Sequence, residues 1–295
     1  MRLDPRCADA AESPAALLQA EKFAHWNAWY ARLRRPTQFA VLLFFILLPW
    51  ANAQGWTRIY GSLFALNVYG LPFADPLSAL QVLLVDGFFA VQLWIGAALA
   101  LLLSCVLGRV FCAWLCPYGL LSELAHASRR LVPPRMCADA AAQPGLRARI
   151  AVCVLGLVAA CFFAFPVLQR FSMPGELSLA PLRVLEGWAI CMPALLPPAA
   201  ALLAEGVGGR RLWCRYVCPQ SVCLALAAQC FPAAFGVKWS HERCACPQDD
   251  RPCRRACSLG LDPRRKGGPS RAECVQCAQC VSACAKRGAA LRLGW

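Results

Sequence analysis

The residues with the most chemistry in this chain are cysteines near its end. Eight of the 20 cysteines lie at or after position 244, and four of them read Cys274-x2-Cys277-x2-Cys280-x3-Cys284. This is the spacing of an iron–sulfur ligand loop. Two-residue gaps let three sulfurs face one iron–sulfur cube while backbone N–H groups point at its sulfides. The fourth cysteine, three residues on, turns toward a neighbouring cluster. An upstream set, Cys244-x-Cys246-x6-Cys253-x3-Cys257, is a distorted version of the same pattern.

Eight thiolates suffice for two 4Fe–4S clusters. By the precedent of two-cluster ferredoxins, Cys274, Cys277 and Cys280 pair with Cys257, and Cys244, Cys246 and Cys253 pair with Cys284. The prolines that often follow such motifs are replaced by Ser258 and Ala285. Four-cysteine zinc is the competing chemistry, but zinc favours two separated Cys-x2-Cys knuckles. The unbroken run of three cysteines ending in x3-Cys favours iron–sulfur.

A second constellation occurs twice. Gly108-Arg109-Val110-Phe111-Cys112-Ala113-Trp114-Leu115-Cys116-Pro117 and Gly209-Arg210-Arg211-Leu212-Trp213-Cys214-Arg215-Tyr216-Val217-Cys218-Pro219 both run Gly-Arg to Cys-x3-Cys-Pro. If helical, the spacing places both sulfurs on one face a turn apart, and the proline redirects the chain after them. Each copy follows an apolar span, so the repeating unit is two spans plus one motif, used twice in the same orientation. An axis along the membrane normal then brings Cys112, Cys116, Cys214 and Cys218 within reach of one site. They hold a further shared cluster or form a surface that docks cluster-bearing partners; buried cysteines without a ligand are the bland alternative. The other cysteines, Cys7, Cys105, Cys137, Cys153, Cys161, Cys191, Cys223 and Cys230, read as small buried hydrophobes.

The elements that position these motifs are apolar. Hydrophobic residues make up 59% of the 295, and charged residues only 16%, against about 25% in ordinary globular chains. Uncharged runs at 36–57, 87–108, 150–169 and 187–204 are each long enough to cross a bilayer. The net charge of +14 reflects arginines in loops beside these spans, as the positive-inside rule expects, and not nucleic-acid binding. Cysteines clustered in a basic region, with no cleavable signal peptide, argue for metal and against a disulfide scaffold.

The expected fold is an all-α membrane bundle of about four transmembrane helices, in two parallel two-helix repeats. It carries a small C-terminal ferredoxin-like α+β module. The expected parts are an N-terminal cytoplasmic arm (1–35), a first repeat (36–120), a basic cytoplasmic loop (121–149), a second repeat (150–237) and the 4Fe–4S module (238–295). Residues up to about 85 after the first span read as an outer-face loop with an interfacial helix. Residues 216–237 read as a helix along the membrane, because a fifth span would put the basic tail (12 Lys/Arg against 5 Asp/Glu) outside. The four spans lack acids; Asp75 and Asp86, near the outer face, read as solvated loop residues.

Paired Cys-x3-Cys-Pro motifs, four spans and the cysteine tail together resemble the membrane-bound 4Fe–4S polyferredoxin family, over about residues 35–290. Its members include the NapH-type quinol dehydrogenase membrane subunit and the C-terminal half of NosR-type proteins. Cys112-Ala113-Trp114-Leu115-Cys116-Pro117-Tyr118-Gly119 is especially close to the latter. No region of flavin-binding size precedes the first span in these residues, so direct use of FMN is not expected. The resemblance implies a multi-pass protein of the bacterial cytoplasmic membrane with both termini inside. It implies electron transfer between quinol, or a cytoplasmic donor, and a periplasmic reductase through a cytochrome or flavoprotein partner. A redox-active assembly or regulatory protein for a metalloenzyme, and a membrane copper-ion reductase, are the alternatives.

Overall fold

The structure is a computed structural model that describes residues 14–87, 91–127, 145–208, 210–231, 235–241, 244, 246, 252–265, 268–285 and 290–295. Helix α1 (Pro14–Ala53) is 40 residues long, about 60 Å at the standard rise. The described part of the arm and the first span are therefore one continuous helix. Its stretch His25–Ala53, and α6 (Gly145–Phe163), are the two described helices long and apolar enough to cross a membrane. Helix α3 (Val91–Leu107) and the Leu195–Val207 stretch of α9 (Trp188–Gly208) are apolar but shorter. Leu102 on α3, Leu155 and Phe162 on α6, and Leu196 and Leu203 on α9 are all exposed. The core helix of a soluble protein would bury such residues; large exposed apolar surface marks a membrane or protein contact.

Between α1 and α3 the chain forms an antiparallel meander, β1 (Ile59–Ser62), β2 (Ala65–Val68) and β3 (Leu71–Ala74), followed by α2 (Pro76–Asp86). The β2–β3 turn has Tyr69 and Gly70 at positive φ, the backbone of a tight two-residue hairpin. Strand β3 lies so close to α3 that a Cβ on Gly96 would stand 2.6 Å from the Ala74 nitrogen. Where an interfacial loop is expected, the chain forms a sheet packed along α3. Four-residue strands with Pro72 inside one of them carry too little alternation to be read from sequence.

The second repeat also folds back on itself. After α6 the chain turns into α7 (Val167–Arg170), whose Leu168 fills the groove over Gly156, where a Cβ would meet it at 2.1 Å. Gln81 accepts from the Leu168 nitrogen at 3.1 Å, and Gln220 donates to its carbonyl at 3.4 Å. Helix α8 (Met173–Glu186) then starts at Ser172, whose hydroxyl accepts from the Gly175 nitrogen, and packs on α9.

Short elements follow each long one. Helix α4 (Val110–Trp114) and α5 (Pro117–Ala127) follow α3, and a single π turn (Trp213–Val217) and α10 (Gln220–Ala227) follow α9. Helix α10 is eight residues long and mostly buried against α2, α3 and α6. It replaces the surface-lying helix expected over 216–237, and no fifth span forms there among the described residues. The expected basic loop lies largely in 128–144, outside the described residues.

The C-terminal module pairs β4 (Gly236–Trp239) antiparallel with β5 (Leu291–Gly294), around α11 (Pro252–Arg255) and α12 (Gln279–Ala285). Its core of Val237, Val281, Leu291 and Leu293 includes Tyr30 of α1. Tyr30 donates to the Gln276 carbonyl at 3.0 Å, and Asn27 accepts from the Leu293 nitrogen at 3.4 Å. The N-terminal half of α1, through Asn27 and Tyr30, is thus the seat of the module.

Candidate iron–sulfur sites

In the tail, Cys257, Cys274, Cys277 and Cys280 line one small cavity. Cys244, Cys246, Cys253 and Cys284 line a second. These are the two sets that the exchanged ferredoxin pattern requires. Among the described residues no three His, Cys, Asp or Glu side chains converge as ligands of a single metal ion would. A 4Fe–4S cube asks for something else: each of its irons takes its own thiolate, so four sulfurs stand apart around a cavity.

The backbone of the regular loop fits the same purpose. Gln276 and Ala278 have φ of 56° and 58°, uncommon for non-glycine residues. Alternating left-handed residues turn successive N–H groups to one side, forming an anion-binding nest. The Gln276 nitrogen donates to Cys274 Sγ at 3.4 Å, and the Leu261 nitrogen to Cys257 Sγ at 3.4 Å. Burial pushes the Cys274 thiol up to about 12 and the Cys257 thiol up to about 11. Such thiols become thiolates at neutral pH only when iron takes the proton's place. Four-thiol donor sets in N–H-lined cavities fit the cluster.

The two Cys-x3-Cys-Pro motifs are built alike. The Cys116 nitrogen donates to the Phe111 carbonyl at 3.2 Å, and the Cys218 nitrogen to the Trp213 carbonyl at 2.9 Å. Both are i to i−5 bonds, a widened turn that recurs at functional sites. Pro117 and Pro219 then start new directions. Cys112, Cys116, Cys214 and Cys218 all line one cavity of about 430 Å³, so the internal repeat brings its four thiols together.

The sequence reading missed the arginines. It aligned Arg109 with Arg210 through the preceding glycine. The spatial equivalent of Arg109 is Arg211, because each lies three residues before the first cysteine of its motif. Arg109 donates to Cys112 Sγ at 3.9 Å and Arg211 to Cys214 Sγ at 3.3 Å. Both guanidinium groups are almost wholly buried, as are those of Arg34 and Arg149. These are not loop charges that set topology, as the composition suggested. Glu123 meets Arg34 at 2.6 Å, Arg35 at 3.4 Å and Arg211 at 3.5 Å. Burial pushes its carboxyl up, but the three arginines outweigh that and hold it below the usual carboxylate range. The detectable signal was the repeated Arg-x2-Cys-x3-Cys-Pro spacing.

Arginines also join the motifs to the tail. Arg109 donates to the Ala272 carbonyl at 3.0 Å and the Glu273 carbonyl at 3.2 Å. Arg149 donates to Ala272 at 3.0 Å and to Ser221 Oγ at 2.8 Å, and Arg215 to the Leu259 carbonyl at 2.6 Å. One apolar cluster contains Ala113, Leu259, Leu261 and Val275, with Cys112, Cys214, Cys257, Cys274 and Cys277 packed against it. The motif cavity and the first tail cavity are therefore neighbours. Gly108 makes room for the junction: its φ is 71°, and a Cβ there would meet Gln276 Nε2 at 2.3 Å.

Asp75 is a further correction. It is buried, caps α2 by accepting from the Ser78 nitrogen at 3.2 Å, and lines the motif cavity. Asp86 is exposed, as expected for a loop acid. Cys153 is buried as expected, Cys105 and Cys223 are half-buried, and Cys161 and Cys230 are exposed against expectation. Cys7 and Cys137 lie outside the described residues, as does the side chain of Cys191.

Comparison with known proteins gives the same picture. A family described as a 4Fe-4S binding domain matches twice, at residues 89–135 and 191–238, once over each Cys-x3-Cys-Pro motif. The chain is 30% identical to the protein NirI of Paracoccus denitrificans over 94% of its own length and 42% of that protein. It is 30% identical to the methylamine utilization ferredoxin-type protein MauN of Methylorubrum extorquens, over 74% of its own length and 71% of that protein. It is 28% identical to the regulatory protein NosR of Pseudomonas aeruginosa, over 64% of its own length and a quarter (25%) of that protein. The chain thus spans less than half of NirI and NosR, and most of MauN. No solved structure matches it.

Proposed function

This chain belongs to the family of ferredoxin-type 4Fe–4S membrane electron-transfer proteins that includes the NapH and NosR types, and from that premise we propose how it carries electrons. It crosses the cytoplasmic membrane four times, through α1, α3, α6 and α9, with both termini inside. Two 4Fe–4S clusters occupy the tail, one held by Cys257, Cys274, Cys277 and Cys280, the other by Cys244, Cys246, Cys253 and Cys284. Cys112, Cys116, Cys214 and Cys218 form a third redox-active station, a shared cluster or the docking point for one. Quinol or a cytoplasmic donor feeds this line, and a periplasmic reductase drains it through a cytochrome or flavoprotein partner.

The observation that carries the reading is the contact between cavities. The motif cysteines and the regular tail loop share one packed cluster, and Cys253 and Cys284 sit in the same core as Cys280. Three cysteine-lined cavities in series support a relay better than they support separate structural sites. The chain's part is to bind, orient and tune; the clusters supply the one-electron chemistry. Buried guanidinium groups beside Cys112 and Cys214 favour added negative charge, which raises the ease of reduction.

The test is electron transfer in membrane vesicles carrying the full chain and its partner reductase. Cys112→Ser and Cys214→Ser should each slow transfer from donor to acceptor, while the tail clusters still assemble. Wild-type rates in both variants would remove the motifs from the path.

A further inference from the structure

Two cysteines outside the cluster sites meet across the repeats. Cys105 lies near the end of α3, before the first motif, and Cys230 follows α10, after the second. Their thiols hydrogen-bond to each other. Cys230 Sγ also donates to the Leu226 carbonyl at 3.9 Å. Cys230 is exposed and Cys105 half-buried, where the sequence suggests two small buried hydrophobes.

A second group holds the same two segments together. Arg271 of the tail donates to the Cys105 carbonyl at 3.5 Å and to the carbonyl of Phe231, the neighbour of Cys230. The next residue, Ala272, accepts from Arg109 and Arg149. The thiol pair therefore stands at the edge of the junction between the motifs and the tail.

The relay makes no use of this pair. Two thiols in contact, one of them exposed, suit redox response: the exposed sulfur reacts first and its neighbour resolves the product. Disulfides in a reducing compartment are transient and redox-sensing, and exposed ones are labile. Cys112, Cys116, Cys214 and Cys218 all lie between positions 105 and 230. A bond here closes one covalent ring around both motifs. Long rings take the most freedom from the unfolded chain.

We propose that Cys105 and Cys230 form a reversible disulfide that fastens the two repeats at the motif–tail junction when low-molecular-weight disulfides accumulate. The Cys230 thiolate attacks one sulfur of the small disulfide. The small S–S bond breaks, a mixed disulfide forms on Cys230, and one small thiol leaves. Cys105 gives up its proton and attacks the Cys230 sulfur, and the second small thiol leaves. The chain loses two electrons and two protons, and the small disulfide gains them. Excess small thiol runs both steps backwards.

The experiment uses the full chain, purified anaerobically and placed in nanodiscs, with glutathione disulfide as oxidant. Remaining thiols are alkylated, and linked peptides are identified by mass spectrometry. Stability is read by tryptophan fluorescence on heating. Treated wild type should yield a peptide joining Cys105 to Cys230, and its melting temperature should rise by about 10 °C. Reduced glutathione should reverse both changes. Cys105→Ser should stop at a mixed disulfide on Cys230, as the exposed Cys161 should in wild type. Cys230→Ser should leave Cys105 unlinked, and neither variant should gain stability. Treated wild type without the joined peptide would overturn the pairing. A joined peptide with an unchanged melt, or a rise shared by both serine variants, would overturn the fastening role. The joined peptide forms whether or not the clusters carry electrons, so failure of the relay leaves this test intact.

Discussion

Arg109 offers the sharpest test of how the membrane motifs hold the tail. Its guanidinium makes two charge-assisted bonds, to the carbonyls of Ala272 and Glu273. Bonds of this kind contribute about 1.5–3 kcal/mol each, so the pair is worth about 3–6 kcal/mol. Ala272 keeps a second donor in Arg149, which places Arg109→Met at the lower end, about 3 kcal/mol. For a chain of this size that lowers the melting temperature by about 6–12 °C. Arg109 and Arg149 are like charges that converge on the same Ala272 carbonyl and repel each other. Anionic thiolate-bound clusters offset that repulsion; neutral thiols do not. Arg109→Met should therefore destabilise iron-loaded protein more than iron-free protein, and Arg109→Lys, which keeps the charge and loses the fork, should fall between. The assay is thermal loss of cluster absorption, beside tryptophan fluorescence for the iron-free form. An unchanged melt in loaded Arg109→Met, or an equal drop with and without iron, would refute this account of the junction.

Cys280→Ser and Cys257→Ser should each remove the same half of the tail iron, and combining them should remove no more; combining Cys280→Ser with Cys284→Ser should empty both cavities, as read by iron analysis. Glu123→Gln leaves Arg34 and Arg211 buried beside a neutral amide, and should cost about 3–5 kcal/mol in denaturant unfolding; a loss under about 1 kcal/mol would show the triad to be solvated. In the iron-free tail, Cys274 and Cys257 are raised from 9.0 to about 12 and about 11. The folded form then binds more protons than the unfolded form above about pH 9, so their contribution to stability is full below that pH and is lost as pH rises through 11–12. Melting curves of iron-free protein between pH 8 and pH 10 (about the reachable range) should show the fall begin, and a flat profile would contradict it.

The cysteines could be read from sequence because cluster ligation needs fixed short spacings. Each tail set lines one cavity, and the repeated motif brings its four thiols to another. The distorted spacing of Cys244, Cys246 and Cys253 did not prevent their meeting Cys284 at one cavity. What sequence hid were groups whose burial depends on distant chain. Arg109 looks like any basic residue at a span end until Ala272 and Glu273, more than 160 positions away, supply its acceptors. Asp75 reads as a loop acid because the meander that encloses it comes from strands too short to show a period. The arm and first span looked separate because polarity changes near Arg35, although α1 runs through that point without a break. Polarity reports solvent, whereas helix continuity depends on backbone propensity, and Pro36 and Pro49 do not break α1.

Two 4Fe–4S clusters on the tail cysteines would leave a direct chemical signature. Iron and sulfide analysis of the full chain purified anaerobically, with electron paramagnetic resonance before and after dithionite, tests for them most directly. At least about eight iron and eight sulfide per chain are expected, with absorption near roughly 400 nm that bleaches on reduction and a reduced 4Fe–4S signal. A colourless protein that carries zinc, with no sulfide and no signal after dithionite, would contradict their presence.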